Sequence, residues 1–475
     1  MRAEAVELAV IGAGPAGMEA ALAACEAGVK TAIIEALPAA GGQYFRRLPS
    51  SFVASETTEA EDEGKRLTSR LESSLISKHL GSLAWGLFRD ETNNGWLVAL
   101  VGPDAPNWLK ARTLVLANGA YERPAAFPGW TLPGVITCGA VLTLIKTQRI
   151  APGRRAIVTG TGPLLLSAAA HLAEAGVEVP AVCESSRLIS REASRFVGLL
   201  GQPSALREGW PYLWRLISKR VPYRMGWSVF EAIGDDHVKE AVIGRIDAEG
   251  YPIAGSERRF PADTVVCGYG LTPNIRLARM AGCRLVFRAD AGGWVPLRDG
   301  SMRSSQPGVY VVGDAAGIRG AENARLEGRQ AGVDVARLTG HLDAQQAETL
   351  SARIAPSLAR THRQGELLGK LFPVRPGWRA LAGDDTALCR CEEVTLGDVK
   401  TAVLEGARSM ETVKMVTRAG MGDCQGRMCE RLVSEALLGA MDPYEPSRDT
   451  AELYSIRPPL HPVPLETLAA AGLEE

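Results

Sequence analysis

The stretch "LAVIGAGPAGMEAALAACEAGVKTAIIEA", residues 8 to 36, decides the fold of the N-terminal region. An apolar run predicts a buried strand, a glycine-rich turn leads into a helical pattern that ends near Gly28, and a second apolar strand closes on Glu35. A strand, a helix and a strand of these lengths form a βαβ unit of a parallel sheet. The sequence therefore predicts an α/β fold built on Rossmann-like domains.

The turn of this unit predicts a dinucleotide site. Gly12 permits the tight turn, Gly14 lets the backbone approach a pyrophosphate, and Gly17 lets the helix pack closely on the strand. Glu35 stands where a carboxylate accepts hydrogen bonds from ribose hydroxyls, and the helix N-terminus offers N–H groups to phosphates. The alternative, glycines that serve packing only, does not explain the acid. The predicted site comprises Gly12, Gly14, Pro15, Ala16, Gly17 and Glu35.

A second unit, "RAIVTGTGPLLLSAAAHLAEAGVEVPAVCES", covers residues 155 to 185. Gly160 and Gly162 repeat the turn, and Glu184 ends the second strand in the position that favours NAD over NADP. Leu165 occupies the third glycine position, and we expect this bulky residue to push the helix from the strand or to alter the approach of a phosphate. A nicotinamide site, a site for another adenine nucleotide such as ATP, and a site without a ligand all remain open.

The first domain is predicted to resume at "SSQPGVYVVGDAAGIRGAENARLEGRQAG", residues 304 to 332. This stretch predicts a strand that ends in Gly313-Asp314 and is followed by a loop and a helix. An acid at that point can hold the hydroxyls of a flavin's ribityl chain, and the helix N-terminus favours the electron-rich edge of the ring. One nucleotide domain is therefore expected to be inserted in the other.

The composition of the chain indicates its broad class. The 475-residue chain is 46% hydrophobic and 23% charged, as expected of a globular protein, and its 53 Lys and Arg nearly balance its 54 Asp and Glu. The nearly balanced charge does not indicate nucleic acid as a partner. The first strand starts within a few residues of the N-terminus, which leaves no room for a signal peptide, and no apolar run of about 18 residues occurs. We expect a cytoplasmic protein whose thiols stay reduced unless a metal or catalysis requires them.

Four of the nine cysteines cluster near the C-terminus, in "ALCRCEEVTLGDVK" (387 to 400) and "RAGMGDCQGRMCE" (418 to 430). Cys389 and Cys391, then 32 residues, then Cys424 and Cys429 supply four thiolates on two loops, the number that a [2Fe-2S] cluster requires. A helix capped by Thr395 and a second helix are predicted between the loops. A structural zinc site, for which Cys-x2-Cys is the commoner spacing, and four unrelated thiols are the alternatives.

Residues 1 to about 340 resemble the pyridine nucleotide-disulfide oxidoreductase family. Beside the turns above, "Gly41-Gly42-Gln43" stands where that family meets its flavin, and "LANGA" at 116 to 120 replaces its alanine-threonine-glycine motif. The resemblance implies FAD and adds Gly42, Gln43, Ala117 and Gly119 to the flavin site. The redox disulfide of the family is missing, because no cysteine pair follows Gly42 and Cys138 stands alone in "VITCGAVLTLIK". Disulfide reduction is not expected.

The motifs "CRCEEVT" and "GMGDCQGRMC" resemble the BFD-like [2Fe-2S] domain. Together with the flavin fold they make the chain similar to the α-type members of heteromeric dye-linked amino acid and opine dehydrogenases. This group includes the α-type components of opine oxidase, D-hydroxyproline dehydrogenase, L-proline dehydrogenase and sarcosine oxidase, and the corresponding component of hydrogen cyanide synthase. The resemblance implies a β subunit, similar to D-amino acid oxidase, that oxidises an amino acid, imino acid or opine. FMN at the α-β interface and a small [2Fe-2S] γ subunit are optional parts of that group.

We therefore predict an electron-transfer subunit, with peripheral attachment to the inner membrane through its acceptor left open. A self-sufficient NADH-dependent reductase and a non-catalytic scaffold that holds cofactors are the alternatives. Catalytic residues stay unknown, because the six histidines are scattered. The predicted domains are a FAD-binding domain (1–120 and 285–365), an inserted nucleotide domain (121–284), a linker (366–384), the BFD-like domain (385–440) and an extended tail (441–475).

Overall fold

The computed structural model describes residues 3–46, 48, 59–92, 94–187, 203–441 and 453–471, so the predicted tail lies partly outside the described residues. The described strands are β1 (Ala3–Ile11), β2 (Thr31–Glu35), β3 (Ser77–Leu80), β4 (Leu83–Asp90), β5 (Gly95–Val101), β6 (Trp108–Leu116), β7 (Ala120–Glu122), β8 (Val135–Thr137), β9 (Arg155–Gly160), β10 (Glu178–Glu184), β11 (Tyr223–Met225), β12 (Trp227–Gly234), β13 (Val238–Arg245), β14 (Arg258–Pro261), β15 (Thr264–Gly268), β16 (Leu271–Pro273), β17 (Leu285–Arg288), β18 (Gly293–Pro296), β19 (Val309–Val311), β20 (Ala387–Cys389) and β21 (Val394–Thr395).

The described α-helices are α1 (Pro15–Glu26), α2 (Glu59–Glu72), α3 (Cys138–Gln148), α4 (Pro163–Glu174), α5 (Pro203–Ser218), α6 (Arg276–Met280), α7 (Ala321–Leu338), α8 (Ala344–Leu371), α9 (Leu396–Leu404), α10 (Met410–Thr417), α11 (Glu430–Ala440) and α12 (Leu465–Ala471). Among the described helices, none is long and apolar enough to cross a membrane.

The chain divides into two compact units. The first contains residues 1–121, 272–366 and 456–475, and the second contains 122–271 and 367–455. The first unit therefore resumes at Thr272, earlier than the boundary at 285 drawn from the sequence. The segment that carries the four clustered cysteines belongs to the second unit.

The first unit is built on a sheet with the strand order β3-β2-β1-β6-β5-β4, in which β19 also pairs with β6. Strands β1, β2, β3, β6 and β19 are parallel, and β4 and β5 are antiparallel. Helix α7 lies directly on α1, because a β-carbon added to Gly328 would lie 2.0 Å from the carbonyl oxygen of Ala16. In the tail, the N–H of Leu460 donates to the carbonyl of Trp85 (2.7 Å).

The second unit contains a parallel sheet of order β11-β10-β9-β15-β8 and an antiparallel sheet of β12, β13 and β14. The cysteine-bearing segment adds the hairpin β20–β21 and helices α9 to α11. The cap predicted at Thr395 is confirmed, because its Oγ1 accepts the N–H of Asp398 at 3.1 Å. One hydrophobic core joins Phe127 and Trp130 of the nucleotide domain to Trp378, Leu388 and Cys429. The segment therefore folds against the nucleotide domain rather than as a separate body.

The predicted fold class is confirmed. The parallel strands of each unit's main sheet carry the strand, helix and strand order that the two glycine-rich stretches predict, and the cysteine-bearing segment is mainly helical.

Candidate cofactor sites

The three glycines of the first turn have different surroundings. A β-carbon on Gly12 would lie 2.3 Å from the carbonyl oxygen of Ala117, and one on Gly17 would lie 1.8 Å from that of Gly12. Both positions are therefore closed by backbone. A β-carbon on Gly14 would meet only the Cα of Gly42, at 4.0 Å. The surface of Gly14 is open, as a turn that receives a pyrophosphate requires.

The residues predicted around this turn lie together. Glu35 accepts the N–H of Ala13 at 2.7 Å and that of Leu37 at 3.0 Å, so its carboxylate holds the turn while staying partly exposed. Gly42, at a φ of +58°, packs its Cα against Gly14, and Gly119, at a φ of +68°, has open space where a side chain would stand. Gln43 is exposed and accepts a hydrogen bond from Arg46. The cradle fits a dinucleotide, and flavin binding by these residues stays a prediction.

Gly313 and Asp314 follow β19, and Gly313 lies next to the first turn of α1. A β-carbon on Gly313, whose φ is +65°, would lie 2.9 Å from the Cβ of Ala16 in the first turn of α1. Burial and the neighbouring charge of Glu327 raise the pKa of Asp314 to about 6. Hydrogen bonds from hydroxyl groups would stabilise the ionised form of such a carboxyl group. The ribityl chain of a flavin would supply hydroxyl groups of this kind.

Glu327, which no sequence motif singles out, fixes this turn. It is almost fully buried and accepts the N–H of Gly313 at 2.9 Å, two hydrogen bonds from Arg298 at 2.5 and 2.8 Å, and others from Asn323 and His362. Burial alone would raise the pKa of Glu327, but the Arg298 guanidinium and these hydrogen bonds lower it to about 2. The carboxylate is therefore an anion that the surrounding fold requires.

We expect Glu327→Gln to destabilise the first unit by about 3 kcal/mol, which lowers its melting temperature at pH 7 by about 6–12 °C. Because the folded-state pKa lies below the ordinary value, this contribution is complete above about pH 4.5 and disappears as the pH falls toward 2. Differential scanning fluorimetry at pH 7 and pH 3 checks both expectations. Glu322→Gln on the same helix is the control, because Glu322 pairs with Arg360 at an exposed position; equal melting shifts for the two variants would contradict the role of Glu327.

The second turn differs from the first. Gly160 is closed by the carbonyl oxygen of Gly268, 2.1 Å from where its β-carbon would stand. Leu165, at the third glycine position, is fully buried. It fills the space beside Gly268 on β15, where a side chain would lie 3.3 Å from the Leu165 Cδ1 and 2.5 Å from the Cys138 Sγ. Leucine is accommodated here because the facing residue of β15, Gly268, has no side chain.

Glu184 is not presented to a ligand. It is fully buried, and its carboxylate accepts the N–H groups of Gly162 (3.1 Å) and Ser186 (2.9 Å) and the hydroxyl of Tyr223 (3.2 Å). Burial raises the pKa of Glu184. A ribose would have to displace these partners at a fully buried carboxylate, whereas Glu35 in the first unit is partly exposed.

Residues 372–381 of the linker lie over the second turn. A β-carbon on Gly162 would lie 3.8 Å from the Cβ of Phe372. Val374, Trp378 and other linker side chains face Thr161 and Ser185 across a space of about 10 Å³, about what one water molecule needs. The N–H of Gly377 donates to the carbonyl of Glu249 at 2.9 Å and anchors the linker. The linker therefore contacts the Gly160–Gly162 turn on the side from which a pyrophosphate would approach Gly162.

A hollow on the same unit carries positive charge. Its lining includes Arg187, Arg245 and Arg258 together with Trp227, and its volume is about 620 Å³. Arg187 lies three residues after the end of β10, and the three guanidinium groups are of the kind that bind phosphate. The hollow keeps the adenine nucleotide alternative open.

The four clustered cysteines stand on two loops that face each other. Cys389 and Cys429 are buried and interact with each other, and Cys391 and Cys424, which are more exposed, form a second interacting pair. The Cys429 thiol, with the backbone N–H groups of Gly420, Glu392 and Cys391, lowers the pKa of Cys389 to about 5. Among the described residues, no three potential ligand side chains stand at metal-binding spacing. The four thiols are therefore arranged as two interacting pairs.

The surroundings of these thiols fit a cluster. Glycine is required at 422, because a β-carbon there would lie 2.4 Å from the Cβ of Cys391. The backbone N–H groups of Gly420, Glu392 and Cys391, which lower the pKa of Cys389, are donors of the kind that stabilise thiolates in iron–sulfur sites. Four thiolates with such donors suit a [2Fe-2S] cluster, and the ligand assignment stays a prediction.

The solitary Cys138 has the environment of a packing residue. It is fully buried, and its pKa is raised by burial and by the nearby Glu122 carboxyl and Cys267. A protonated buried thiol is a poor nucleophile. Each of the nine cysteines is a free thiol.

Comparison with known proteins identifies both parts of the chain. The family described as pyridine nucleotide-disulphide oxidoreductase matches residues 6–328, and the BFD-like [2Fe-2S] binding domain matches residues 387–438. A curated opine oxidase component of Agrobacterium tumefaciens is 31% identical over 98% of this chain and 91% of its own length. Hydrogen cyanide synthase subunit HcnB of Pseudomonas protegens is 31% identical over 98% of both chains. The crystal structure of L-proline dehydrogenase from P. horikoshii shares the fold, with a TM-score of 0.70, 22% identity, and coverage of 98% of this chain and 80% of that one.

Proposed function

Because this chain belongs to the pyridine nucleotide-disulphide oxidoreductase family and carries a BFD-like [2Fe-2S] binding domain, we propose that it is the electron-transfer subunit of a heteromeric dehydrogenase that oxidises a C–N bond of an amino acid, imino acid or opine. The nearly full-length likeness to the opine oxidase component and to hydrogen cyanide synthase subunit HcnB supports this assignment. The substrate is oxidised at a partner β subunit in this proposal.

The residues of the chain position the two cofactors. The turn at Gly12 to Gly17, with Glu35 and Asp314, would hold FAD, and the four clustered cysteines would hold the cluster. When bound, a flavin takes up two electrons together and releases them singly, whereas an iron–sulfur cluster exchanges one electron at a time.

The contact of the linker with the second turn is the observation that favours an electron-transfer subunit over an NADH-dependent reductase. Phe372 stands where a pyrophosphate would approach Gly162, and Glu184 is buried. A nicotinamide dinucleotide needs both the turn and the acid. Electrons are therefore proposed to enter from the partner subunit.

Helix α5 offers an apolar surface suited to a partner protein. Its inner face buries Leu216 and contacts His171 through Tyr212, and its outer face exposes Trp210 and Trp214, at 60% and 59%, with Leu213 and Ile217. A helix that is apolar on two faces is normally covered on both. Tryptophan is enriched at the centres of protein interfaces, so we assign this face to the β subunit.

We expect NADH to leave the purified chain oxidised. An anaerobic titration that follows the flavin band and the signal of the reduced cluster should show no reduction by stoichiometric NADH, because the second turn is covered by the linker. Dithionite should reduce both cofactors as the positive control. The same chain purified with its β subunit should be reduced within seconds by the correct amino acid or opine.

The outcomes separate the three functions. Rapid reduction by NADH would establish the self-sufficient reductase and contradict the relay. Failure of the flavin and the cluster to respond to any substrate in the assembled complex, with dithionite still effective, would favour a scaffold. Phe372→Gly, which removes both the Cβ and the Cγ that lie next to Gly162, tests the cause, since a gain of NADH binding in this variant alone would confirm that the linker closes the site.

A further inference from the structure

Helix α8 (Ala344–Leu371) lies outside both regions that known families match. The pyridine nucleotide-disulphide oxidoreductase match ends at residue 328, and the BFD-like match begins at residue 387. Residues of α8 nevertheless contact the loop 313–319, which joins β19 to α7 and carries Asp314 of the predicted flavin site. An element that neither family model includes therefore packs against the flavin loop.

The contact between α8 and this loop is close because position 365 is glycine. A β-carbon on Gly365 would lie 2.8 Å from the Cβ and 2.9 Å from the Cα of Arg319, at the end of the loop. A larger residue at 365 would have to push the helix and the loop apart, because packed interiors have no spare space of this size. Glycine is unfavourable inside a helix relative to alanine, and the close packing on Arg319 explains its presence here.

Arg319 is held by the same turn of α8. Its side chain is only 7% exposed, and its Nη1 lies 3.7 Å from the Oε1 of Glu366 and 3.5 Å from the carbonyl oxygen of His362. A buried guanidinium is costly without oxygen partners of this kind. The end of the loop is therefore fixed to α8 by packing and by charge.

The side chain of His362 reaches the start of the loop through Glu327. The His362 Nε2 lies 3.1 Å from the Oε1 of Glu327, and the other oxygen of that carboxylate accepts the N–H of Gly313 at 2.9 Å. The Glu327 carboxylate is an anion and only accepts hydrogen bonds, so Nε2 is the donor. Both ends of the loop are therefore tied to one short stretch of α8.

We propose that α8 completes the flavin site by fixing the loop 313–319, with His362 and Gly365 as positioning residues. This inference rests on the proposed FAD site. The loop carries the carboxyl group of Asp314, which would bind the ribityl hydroxyls, and a binding group is effective only when the surrounding shell holds it in place. His362 and Gly365 act on the flavin through this loop and not by touching it.

Gly365→Ala tests the steric contact. Alanine favours the helix but pushes α8 away from Arg319, so we expect the full-length apoprotein to bind FAD about tenfold more weakly, the effect of losing about one hydrogen bond. Fluorescence titration with FAD gives the dissociation constant, and circular dichroism should show undiminished helix content. Gly439→Ala in α11 is the matched control, because no atom lies within 4 Å of its added β-carbon. Equal FAD affinity in the two variants would overturn the proposal.

His362→Leu and His362→Gln test the hydrogen bond. Leucine removes the donor, whereas glutamine keeps an N–H that can reach Glu327. We expect about tenfold weaker FAD binding for His362→Leu and recovery to within about twofold of the unsubstituted chain for His362→Gln. A purely structural role would lower the melting temperature of the apoprotein and leave the dissociation constant for FAD unchanged, and that result would overturn the proposal.

Two outcomes separate this inference from the proposed function. Failure of the unsubstituted chain to take up FAD would overturn the proposed function and this inference with it. Tight FAD binding by the unsubstituted chain, with the same dissociation constant in Gly365→Ala and His362→Leu, would overturn this inference alone. If one of the two variants does not fold, the other decides, because they alter different contacts of α8.

Discussion

Gly14→Ala is expected to weaken flavin binding strongly while leaving the protein folded. The backbone of Gly14 has a φ of −75° and a ψ of −177°, which any residue adopts, and the nearest atom to an added β-carbon is 4.0 Å away. The apoprotein therefore has room for alanine. The added methyl group would instead clash with a pyrophosphate bound against this turn. A loss of about 2 kcal/mol of binding free energy would weaken FAD binding roughly thirtyfold.

Gly17→Ala is the matched comparison, three residues away. Its β-carbon would lie 1.8 Å from the carbonyl oxygen of Gly12 and 3.2 Å from the Cβ of Ala117, so α1 would be forced off the sheet. We expect this variant to lose stability as well as flavin. Purified variants would be compared by the FAD released on denaturation and by the melting temperature of the apoprotein.

The contrast between the two variants is the decisive result. Gly14→Ala should melt within about 2 °C of the unsubstituted apoprotein, because a single methyl group at an open site has little effect on stability. Stoichiometric FAD in purified Gly14→Ala would show that the pyrophosphate does not lie on this turn. That result would remove the glycine-rich turn from the flavin site altogether.

Replacing any one of Cys389, Cys391, Cys424 and Cys429 with serine is expected to eliminate the iron–sulfur chromophore. The unsubstituted chain should contain about two iron and two labile sulfide per chain, and each variant should contain almost none. Cys25→Ser, at a partly buried position of the first unit, is the control and should keep full iron content. Iron, zinc and sulfide analyses with the visible spectrum provide the measurement.

The four variants should also differ in stability. Cys389 and Cys429 are fully buried, whereas Cys391 is exposed. A hydroxyl in place of a buried thiol carries the cost of an unsatisfied polar group, about 1–3 kcal/mol, so only the variants at 389 and 429 should lower the melting temperature of the apoprotein clearly. Zinc at one per chain, without sulfide, would contradict the cluster and establish the structural metal site.

The sequence by itself determined the parts that depend on neighbours along the chain. The strand, turn and helix at residues 8 to 36 are specified by local apolar periodicity and by glycines whose steric roles can be stated one at a time. The same holds for the Thr395 cap, which needs only Asp398 three residues later. The grouping of the four cysteines predicted a helical domain around them, and the helical segment is found there.

Tertiary structure alone decided which of the two similar turns is open. Both turns have glycines and a following acid, but Phe372 covers Gly162 from a position about 210 residues further along the chain. Glu184 is fully buried and accepts the hydroxyl of Tyr223, whereas Glu35 is partly exposed. Glu327 behind Gly313 and Gly365 against Arg319 were equally absent from the sequence patterns. Each of these contacts joins residues that are far apart in the sequence and follow no shared periodic pattern. Their effects therefore arise only when folding brings distant segments together and removes water between them.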